Sequence, residues 1–318
     1  MVPSPRGRRL RRVPAVALLT AAVALPVSGA ARPAAVPAPV PAALAPLAPD
    51  SPAALDARYA TTRADVRAAL RAAEDHGDRR RAGSLRAMTG TGRRFLAFDG
   101  RDGGRSAEVF GTLAGARRIA VLVPGAGVDL DHYWRLRRDA EALAGSLGPR
   151  SAVVAWLGYR APSMLSAGAL TTAAADRGVP QLTSLVTELH KARPGARMSL
   201  LCHSYGSVVC ARGASRLDVA DIVLYGSPGT GAPDAGALHT AATVWAGRGS
   251  QDWIAHVPHV RAGLPPHTVG FGTDPVAPGF GAEVFDAGSA GHSDYLRPGS
   301  VSLRSLAAIV AGTEAGHA

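Results

Sequence analysis

The serines of this 318-residue chain include one whose surroundings suit nucleophilic chemistry. An S-x-G pattern occurs at five positions, Ser146, Ser166, Ser204, Ser227 and Ser289. Only Ser204 lies between an apolar run typical of a buried strand, at 198–202, and an apolar run typical of a helix, at 205–215. A sharp turn between such elements holds a serine hydroxyl beside the positive end of the helix, where developing negative charge is stabilised. Ser204 is therefore the candidate nucleophile.

The other four serines lack that context. Ser146 falls at the end of a predicted helix, Ser166 in a loop and Ser289 in a turn rich in glycine and alanine. Ser227 follows a predicted strand, but the Pro-Gly pair after it favours a turn rather than a helix.

The residues around Ser204 read Cys-His-Ser-Tyr-Gly and resemble the nucleophile elbow of the α/β-hydrolase superfamily, usually G-x-S-x-G. The tight turn requires small flanking residues; Gly206 meets this demand, whereas Cys202 replaces the usual first glycine. Residues from about 93 to 312 are similar to this superfamily, in particular to an exported bacterial branch. The segments that carry the resemblance are 124–125, 156–159, 202–207, 226–229 and 291–293.

The resemblance implies an α/β fold with a mostly parallel sheet of about eight strands, flanked by helices and without a large cap domain. Apolar runs predict strands at 94–98, 107–113, 119–123, 152–157, 198–202, 222–225, 243–246 and 282–285. Amphipathic stretches predict helices near 131–146, 181–192, 205–215, 253–262 and 301–311. Ligands of such sheets bind at the carboxyl ends of the strands, so catalytic side chains are expected just after strands.

The resemblance also predicts the base, because the superfamily orders its catalytic residues as serine, acid and then histidine. The histidines after Ser204 are His239, His256, His259, His267, His292 and His317. His292 lies between the last predicted strand and the last predicted helix, where this fold delivers its base. His203 adjoins the nucleophile, and we expect its side chain to point away and shape the turn. His256 and His259 lack the acid partner of a metal-binding helix and are expected on the surface or in packing.

Two aspartates compete for the role of the acid that orients His292. Asp252 follows the predicted strand 243–246 and a glycine-containing turn, which resembles the acid loop of the superfamily; it also suits a helix N-cap. The rival is Asp274, whose Asp-Pro sequence is also a common turn start. We favour Asp252.

An oxyanion hole requires backbone N–H groups that point at the tetrahedral intermediate. The predicted strand 119–123 ends in Pro-Gly-Ala-Gly, which resembles the first loop of the superfamily. The N–H of Gly125 or Ala126 would then join that of Tyr205. The sequence leaves open which of the two amides is used, and the glycines also suit an ordinary turn.

The two cysteines, Cys202 and Cys210, bracket the predicted elbow. They are either two separate buried thiols or a disulfide that joins the strand before the nucleophile to the helix after it. A bridge closing so short a loop adds about 2–3 kcal/mol of stability. Export makes a disulfide chemically permissible and favours it here.

The first 30 residues predict a secretory signal peptide. Arginines at 6–12 precede an uncharged stretch at 13–31 that ends in small residues, and cleavage after Ala30 or Ala31 fits this pattern. An uncleaved membrane anchor is the alternative, although Pro14 and Pro26 interrupt the stretch. We expect a secreted, extracellular protein.

The next segments predict a linker and a helical region before the catalytic domain at 93–318. Residues 31–52 are rich in proline and alanine and predict an extended linker. From 53 to 92 apolar residues recur at helical spacing, which predicts either a helix packed on the main domain or a spacer helix.

The charge of the chain does not indicate a nucleic-acid partner. The formal net charge is +11, but the first 30 residues contain five arginines and no acid, which leaves 30 basic against 24 acidic residues. The remaining arginines are scattered and no basic stripe alternates with aromatics. No sequence signal for a cofactor or a metal appears, since the glycine-rich stretch 226–231 lacks the lysine of a phosphate-binding loop. We expect a monomer that acts on a small-molecule or lipid ester.

These residues together predict an exported serine hydrolase that cleaves carboxylic esters through an acyl-enzyme on Ser204. The connection 253–281 carries Trp253, Phe271 and Phe280, which would either line an acyl pocket or belong to the core. Two alternatives remain open. The same three residues could serve an amidase, peptidase or acyltransferase, and the scaffold could serve a non-catalytic exported binding protein, although a binder does not need all three.

Overall fold

The computed structural model describes residues 36–164, 166–264 and 267–313. The predicted signal peptide lies outside these residues and stays a prediction. Within the described part, no helix combines the length and the apolar character that crossing a membrane requires.

The core of the molecule is an eight-stranded sheet. Its order is β1-β2-β4-β3-β5-β6-β7-β10, with β8 and β9 forming a separate hairpin. The strands are β1 (Phe95–Asp99), β2 (Arg105–Gly111), β3 (Arg118–Val123), β4 (Ser151–Leu157), β5 (Arg197–His203), β6 (Asp221–Tyr225), β7 (Thr243–Gly247), β8 (Ala262–Leu264), β9 (His267–Val269) and β10 (Glu283–Val284). Strands β1 and β2 pair antiparallel, β2 joins β4 antiparallel, and all other neighbours in the large sheet are parallel.

Helices cover both faces of this sheet. They are α1 (Pro52–Asp75), α2 (Arg79–Met88), α3 (Tyr133–Ser146), α4 (Ala173–Ala192), α5 (Gly206–Gly213) and α6 (Val301–Ala311). Side chains alternate between the faces along each strand, so Val121 packs with α4 and α5 whereas Leu122 packs with α3 and α6. Both faces of the central strands are buried, which explains their continuous apolar runs.

The predicted fold class is confirmed: the sheet is mostly parallel, has eight strands, is flanked by helices and carries no large cap. The connection between β6 and β7 spans 226–242 and contains only a short helical turn at Gly236–Leu238. The open carboxyl ends of β3, β5, β6 and β7 therefore meet at one edge of the sheet.

The region before the sheet packs on it. The helical stretch forms α1 and α2. Leu55 near the start of α1 is buried in the core on one face of the sheet, and Val66 further along α1 is buried in the core on the other face. Residues 36–48 form neither helix nor strand, as the prolines predict, yet Leu47 is buried among the core residues. The Arg58 side chain donates to the carbonyl of Ala45 and to Glu188, which fixes this extended stretch against α4.

Two helix predictions are corrected. The helix predicted at 253–262 is a single 3₁₀ turn at Trp253–His256 followed by the β8–β9 hairpin. Val257, the residue before Pro258, is extended with ψ of 126°, the conformation that a following proline favours, and the turn ends there. The helix predicted at 181–192 begins instead at Ala173 and continues through Pro180.

Candidate active site

The nucleophile elbow forms where β5 meets α5. Ser204 has a left-handed backbone with φ of 52°, one of four such non-glycine residues in the described part of the chain. Its N–H donates to the carbonyl of Tyr225 at 3.0 Å, and its carbonyl accepts the N–H of Ser207 at 2.9 Å. A residue held in this sparsely populated region is typical of functional sites.

The elbow leaves no room for side chains at two glycines. A Cβ on Gly206 would lie 2.4 Å from the carbonyl oxygen of Val123, so the predicted demand for a small residue has a backbone cause. A Cβ on Gly125 would lie 2.7 Å from the Cβ of Ser204 and 3.2 Å from its Oγ. The loop after β3 therefore lies so close to Ser204 that a side chain at Gly125 would collide with the serine.

The two cysteines of the elbow form a disulfide. Cys202 at the end of β5 is bonded to Cys210 in α5, and both are fully buried. Of the two states that the sequence leaves open, the structure contains the bridge. It ties the strand before Ser204 to the helix after it.

The predicted base lies against the serine. His292 Nε2 is 2.9 Å from Ser204 Oγ, and the His292 residue is only 9% exposed. Arg138 of α3 donates to the carbonyl of Ser293 at 3.1 Å, and this bond fixes the loop that carries His292. This separation allows the imidazole to take the hydroxyl proton.

The structure brings Asp252 to the other side of the same imidazole. Its two carboxylate oxygens lie 2.9 and 3.1 Å from His292 Nδ1, and Asp252 is 2% exposed. It also accepts the N–H of Ile254 at 2.9 Å, so the N-cap role and the contact with His292 coexist. Burial raises the pKa of the Asp252 carboxyl, but hydrogen bonds from His292, Tyr295 and the Ile254 N–H outweigh it and hold the pKa below its usual value.

Asp274, the rival acid, does not reach the site. It forms an ion pair with Arg248, its Oδ1 lies 3.8 Å from His259 Nε2, and it accepts the N–H of Val276. It caps a turn, as the Asp-Pro sequence predicts.

The three candidate oxyanion residues, Gly125, Ala126 and Tyr205, all line the cleft beside Ser204. Within the described ranges, their backbone N–H groups donate to no protein acceptor. Backbone donors left without a partner beside a nucleophile are suited to a developing oxyanion. The Tyr205 hydroxyl donates to the carbonyl of Thr171 at 2.6 Å, and this bond holds the Tyr205 side chain in place.

Three residues position the site, and the sequence assigned a role to only one of them, His203. Tyr159 is buried and donates to the carbonyl of Pro124 at 2.7 Å, which holds the loop of Gly125. Tyr295 donates to Asp252 Oδ2 at 2.6 Å and accepts the N–H of Gly249 at 3.1 Å. Tyr159 lies in the segment 156–159 and Tyr295 three residues after His292, so proximity to those motifs was the available signal.

The third positioning residue is His203, which does not simply point away from the site. Its ring lies 4.8 Å from the ring of His292, centroid to centroid, and its Nε2 lies 2.7 Å from the His292 carbonyl oxygen. Burial and the neighbouring His292 lower the pKa of His203 from 6.5 to about 3. The neutral ring therefore carries its proton on Nε2 and donates it to that carbonyl.

A cleft of about 510 Å³ opens above Ser204 and His292. Its lining is mainly apolar, and it includes Trp253 and Phe271, two of the three aromatics predicted for an acyl pocket. Phe280 is buried and packs in the core instead. The charged side chains of the lining are Arg135, Arg138 and Asp139, all on α3.

This fold and this arrangement of side chains define a class. The family model described as alpha/beta hydrolase matches residues 99–262, more than half of the chain. The chain belongs to the alpha/beta hydrolase family, and this membership supports hydrolase activity.

Two curated relatives come from Mycobacterium tuberculosis, the uncharacterized proteins MT2140 and Rv2079. Each is 33% identical over an alignment of 251 positions, and the match covers 68% of this chain and 38% of the relative. The chain therefore spans less than half of the length of these relatives.

The solved structures similar to this chain have low sequence identity and TM-scores below 0.5. XC6422 from Xanthomonas campestris, described as an a/b serine hydrolase without lid, is 16% identical with a TM-score of 0.46 and covers 70% of this chain and 95% of its own. Esterase LipW from Mycobacterium marinum is 16% identical with a TM-score of 0.41 and covers 77% of this chain and 88% of its own.

Proposed function

We propose that this protein is an exported serine hydrolase that cleaves carboxylic esters through an acyl-enzyme on Ser204. The observation that carries the proposal is the continuous line of contacts from Ser204 Oγ to His292 Nε2, and from His292 Nδ1 to Asp252. These contacts lie at the bottom of an open, mainly apolar cleft. The signal-like N-terminus supports export.

The first half of the reaction acylates the serine. Asp252 is a carboxylate, so it accepts a hydrogen bond from His292 Nδ1–H and leaves Nε2 free to accept the Ser204 hydroxyl proton. The serine oxygen attacks the ester carbon, and the carbonyl oxygen takes up negative charge beside the N–H groups of Tyr205 and of Gly125 or Ala126. His292 then protonates the departing alcohol.

The second half returns the enzyme to its starting state. Water gives a proton to His292 and attacks the acyl group on Ser204, and the carboxylic acid leaves as the serine regains its proton. Asp252 stabilises the imidazolium in both halves, while the hydrogen bond from Tyr295 keeps the carboxylate oriented toward His292.

The lining of the cleft supports an ester with an apolar acyl group. Phe271, Ile254 and Tyr205 are almost fully buried beside the serine, and they offer contact surface to a hydrocarbon chain. Among the described residues, the charged side chains of the lining all belong to α3, so the rest of the cleft favours an uncharged ligand.

The test is hydrolysis of p-nitrophenyl esters of increasing acyl length, measured beside the matching anilides. We expect ester hydrolysis that Ser204→Ala lowers by about 10⁴-fold or more in kcat, with unchanged circular dichroism. Ser227→Ala is the matched control and should keep the activity, because its hydroxyl bonds within its own turn. Faster anilide than ester cleavage would indicate an amidase, and full activity in Ser204→Ala would refute the proposal.

A further inference from the structure

Large apolar side chains are exposed mainly around the opening of the cleft. Among the described residues, the large exposed hydrophobics are Val40, Trp134, Met164, Leu170, Trp253 and Val260. Four of them, Met164, Leu170, Trp253 and Val260, also line the cleft above Ser204. We call these four residues the collar.

The collar is assembled from separate parts of the chain. Met164 and Leu170 belong to the loop between β4 and α4, Trp253 follows the acid Asp252, and Val260 precedes β8. Their exposed fractions range from 47% to 60%. Single apolar residues on a surface are ordinary, whereas several gathered around one opening mark an interaction surface.

Two arginines accompany the collar. Arg135 lines the same cleft, and its guanidinium lies 5.4 Å from the ring centroid of the exposed Trp134. Arg261 follows Val260, is exposed and donates to the carbonyl of Gly231. In the described part of the chain neither arginine pairs with a carboxylate, while the acidic residue of the lining, Asp139, pairs with Arg138.

We propose that the collar inserts into a lipid surface that carries anionic headgroups. Tryptophan and aliphatic side chains are stable at the boundary between headgroups and acyl chains, and arginines beside them attract lipid phosphates. The cleft then opens directly onto the lipid, and an ester bond of that surface reaches Ser204 without crossing water. The substrate part of this inference rests on the proposed esterase function; the surface binding does not.

The test is co-sedimentation of the full chain, carrying Ser204→Ala, with vesicles. One set contains phosphatidylcholine alone and the other contains about one third phosphatidylglycerol. We expect binding to the anionic vesicles, weakened about tenfold or more when Leu170→Ser and Val260→Ser are combined. We expect Arg135→Gln with Arg261→Gln to weaken it about tenfold to thirtyfold.

Matched controls separate the collar from exposed residues in general. Val40→Ser removes an exposed apolar side chain that does not line the cleft, and Arg71→Gln removes an exposed charge from α1. Neither should change the binding. The N-terminal segment is basic and apolar and is the same in every variant, so the difference between variants, not the binding of the parent, carries the test.

Three results would overturn the inference. The first is equal binding by the parent and by the collar variant, in which Leu170→Ser and Val260→Ser are combined. The second is equal binding to both kinds of vesicle. The third is a concentration-dependent dimer that the collar variant abolishes, with no binding to vesicles. Because the Ser204→Ala background hydrolyses nothing, vesicle binding is read independently of the proposed reaction. A protein that binds vesicles through the collar but cleaves no ester would refute the esterase alone.

Discussion

Two buried carboxylates lie at opposite ends of neighbouring strands of this sheet. Asp221 opens β6 and is 1% exposed, whereas Asp252 follows β7 and is 2% exposed. Asp221 accepts from the guanidinium of Arg197 at 2.7 and 2.9 Å, and also from Ser199 and Trp245. Asp252 accepts from an imidazole, a phenol and a backbone N–H, with no arginine or lysine among its partners in the described chain.

The difference separates a structural carboxylate from one that can do chemistry. The charge of Asp221 is already balanced by a permanent cation, so it stabilises the resting fold. In the described chain no permanent cation pairs with Asp252, so its charge remains available when His292 becomes an imidazolium. Burial alone does not distinguish the two roles; the charge of the partner does.

The largest expected effect is on activity, from Asp252→Asn. The side-chain amide can donate an N–H to Nδ1, which favours the wrong tautomer of His292, so kcat/KM for an ester should fall about 10³- to 10⁴-fold. Stopped-flow or plate assays with p-nitrophenyl butyrate measure this loss. Asp274→Asn is the control among the two candidate acids and should change kcat/KM less than about threefold, because Asp274 pairs with Arg248.

Asp221→Asn should give the opposite pattern. It removes the charge that balances Arg197 and leaves the folded enzyme active, while the free energy of unfolding falls by about 1–3 kcal/mol. Urea unfolding checks the stability, and active-site titration normalises the activity. If Asp221→Asn impaired catalysis as strongly as Asp252→Asn, the distinction between the two carboxylates would be wrong.

The next effect concerns the disulfide between Cys202 and Cys210, which joins the strand before Ser204 to the helix after it. Replacing Cys202 and Cys210 together by alanine should lower the free energy of unfolding by about 2–3 kcal/mol, because the unfolded chain loses a covalent constraint. Urea midpoints with an unchanged slope measure this. Unfolding of the parent under reducing conditions should match the variant; a difference that persists in reductant would assign the loss to packing instead.

An effect graded with pH, smaller than that of the bridge near neutral pH, is expected from His203, the second imidazole beside Ser204. The pKa of His203 is about 3 in the folded protein against 6.5 for the free side chain, so the unfolded chain binds more protons between these values. This contribution leaves stability unchanged above pH 6.5 and removes about 1.4 kcal/mol for each pH unit from 6.5 down to about 3.

His203→Gln keeps an N–H donor for the His292 carbonyl but does not titrate. Its unfolding free energy, followed by urea titrations from neutral pH down to pH about 4, should therefore fall less steeply than that of the parent. Parallel curves for the two proteins would show that His203 is not the group responsible.

Most strands of the sheet and the surroundings of Ser204 followed from the sequence because each depends on local patterns. Continuous apolar runs report burial on both faces. The small residue at Gly206 belongs to the elbow motif, although its physical cause is the carbonyl of Val123 in β3. The order and the loops of Asp252 and His292 predict their roles, and the structure brings His292 to Ser204 and Asp252 to His292.

The parts that escaped prediction depend on contacts between distant segments. Nothing near Tyr295 in the sequence shows that its hydroxyl meets Asp252, 43 residues earlier. The helix predicted at 253–262 is wrong, because the residue before Pro258 is extended and the chain continues into the β8–β9 hairpin. Exposure of the collar is likewise a property of two separate connections, β4–α4 and β7–β8.

The most direct test of the central claim is covalent labelling by a fluorophosphonate probe, followed by peptide mass spectrometry. A serine made nucleophilic by His292 attacks the phosphorus and keeps the adduct, whereas ordinary serines do not react. We predict one adduct, on the peptide that contains Ser204, and none in Ser204→Ala. An unlabelled native protein, or an adduct on another serine such as Ser227, would contradict the assignment of Ser204 as the nucleophile.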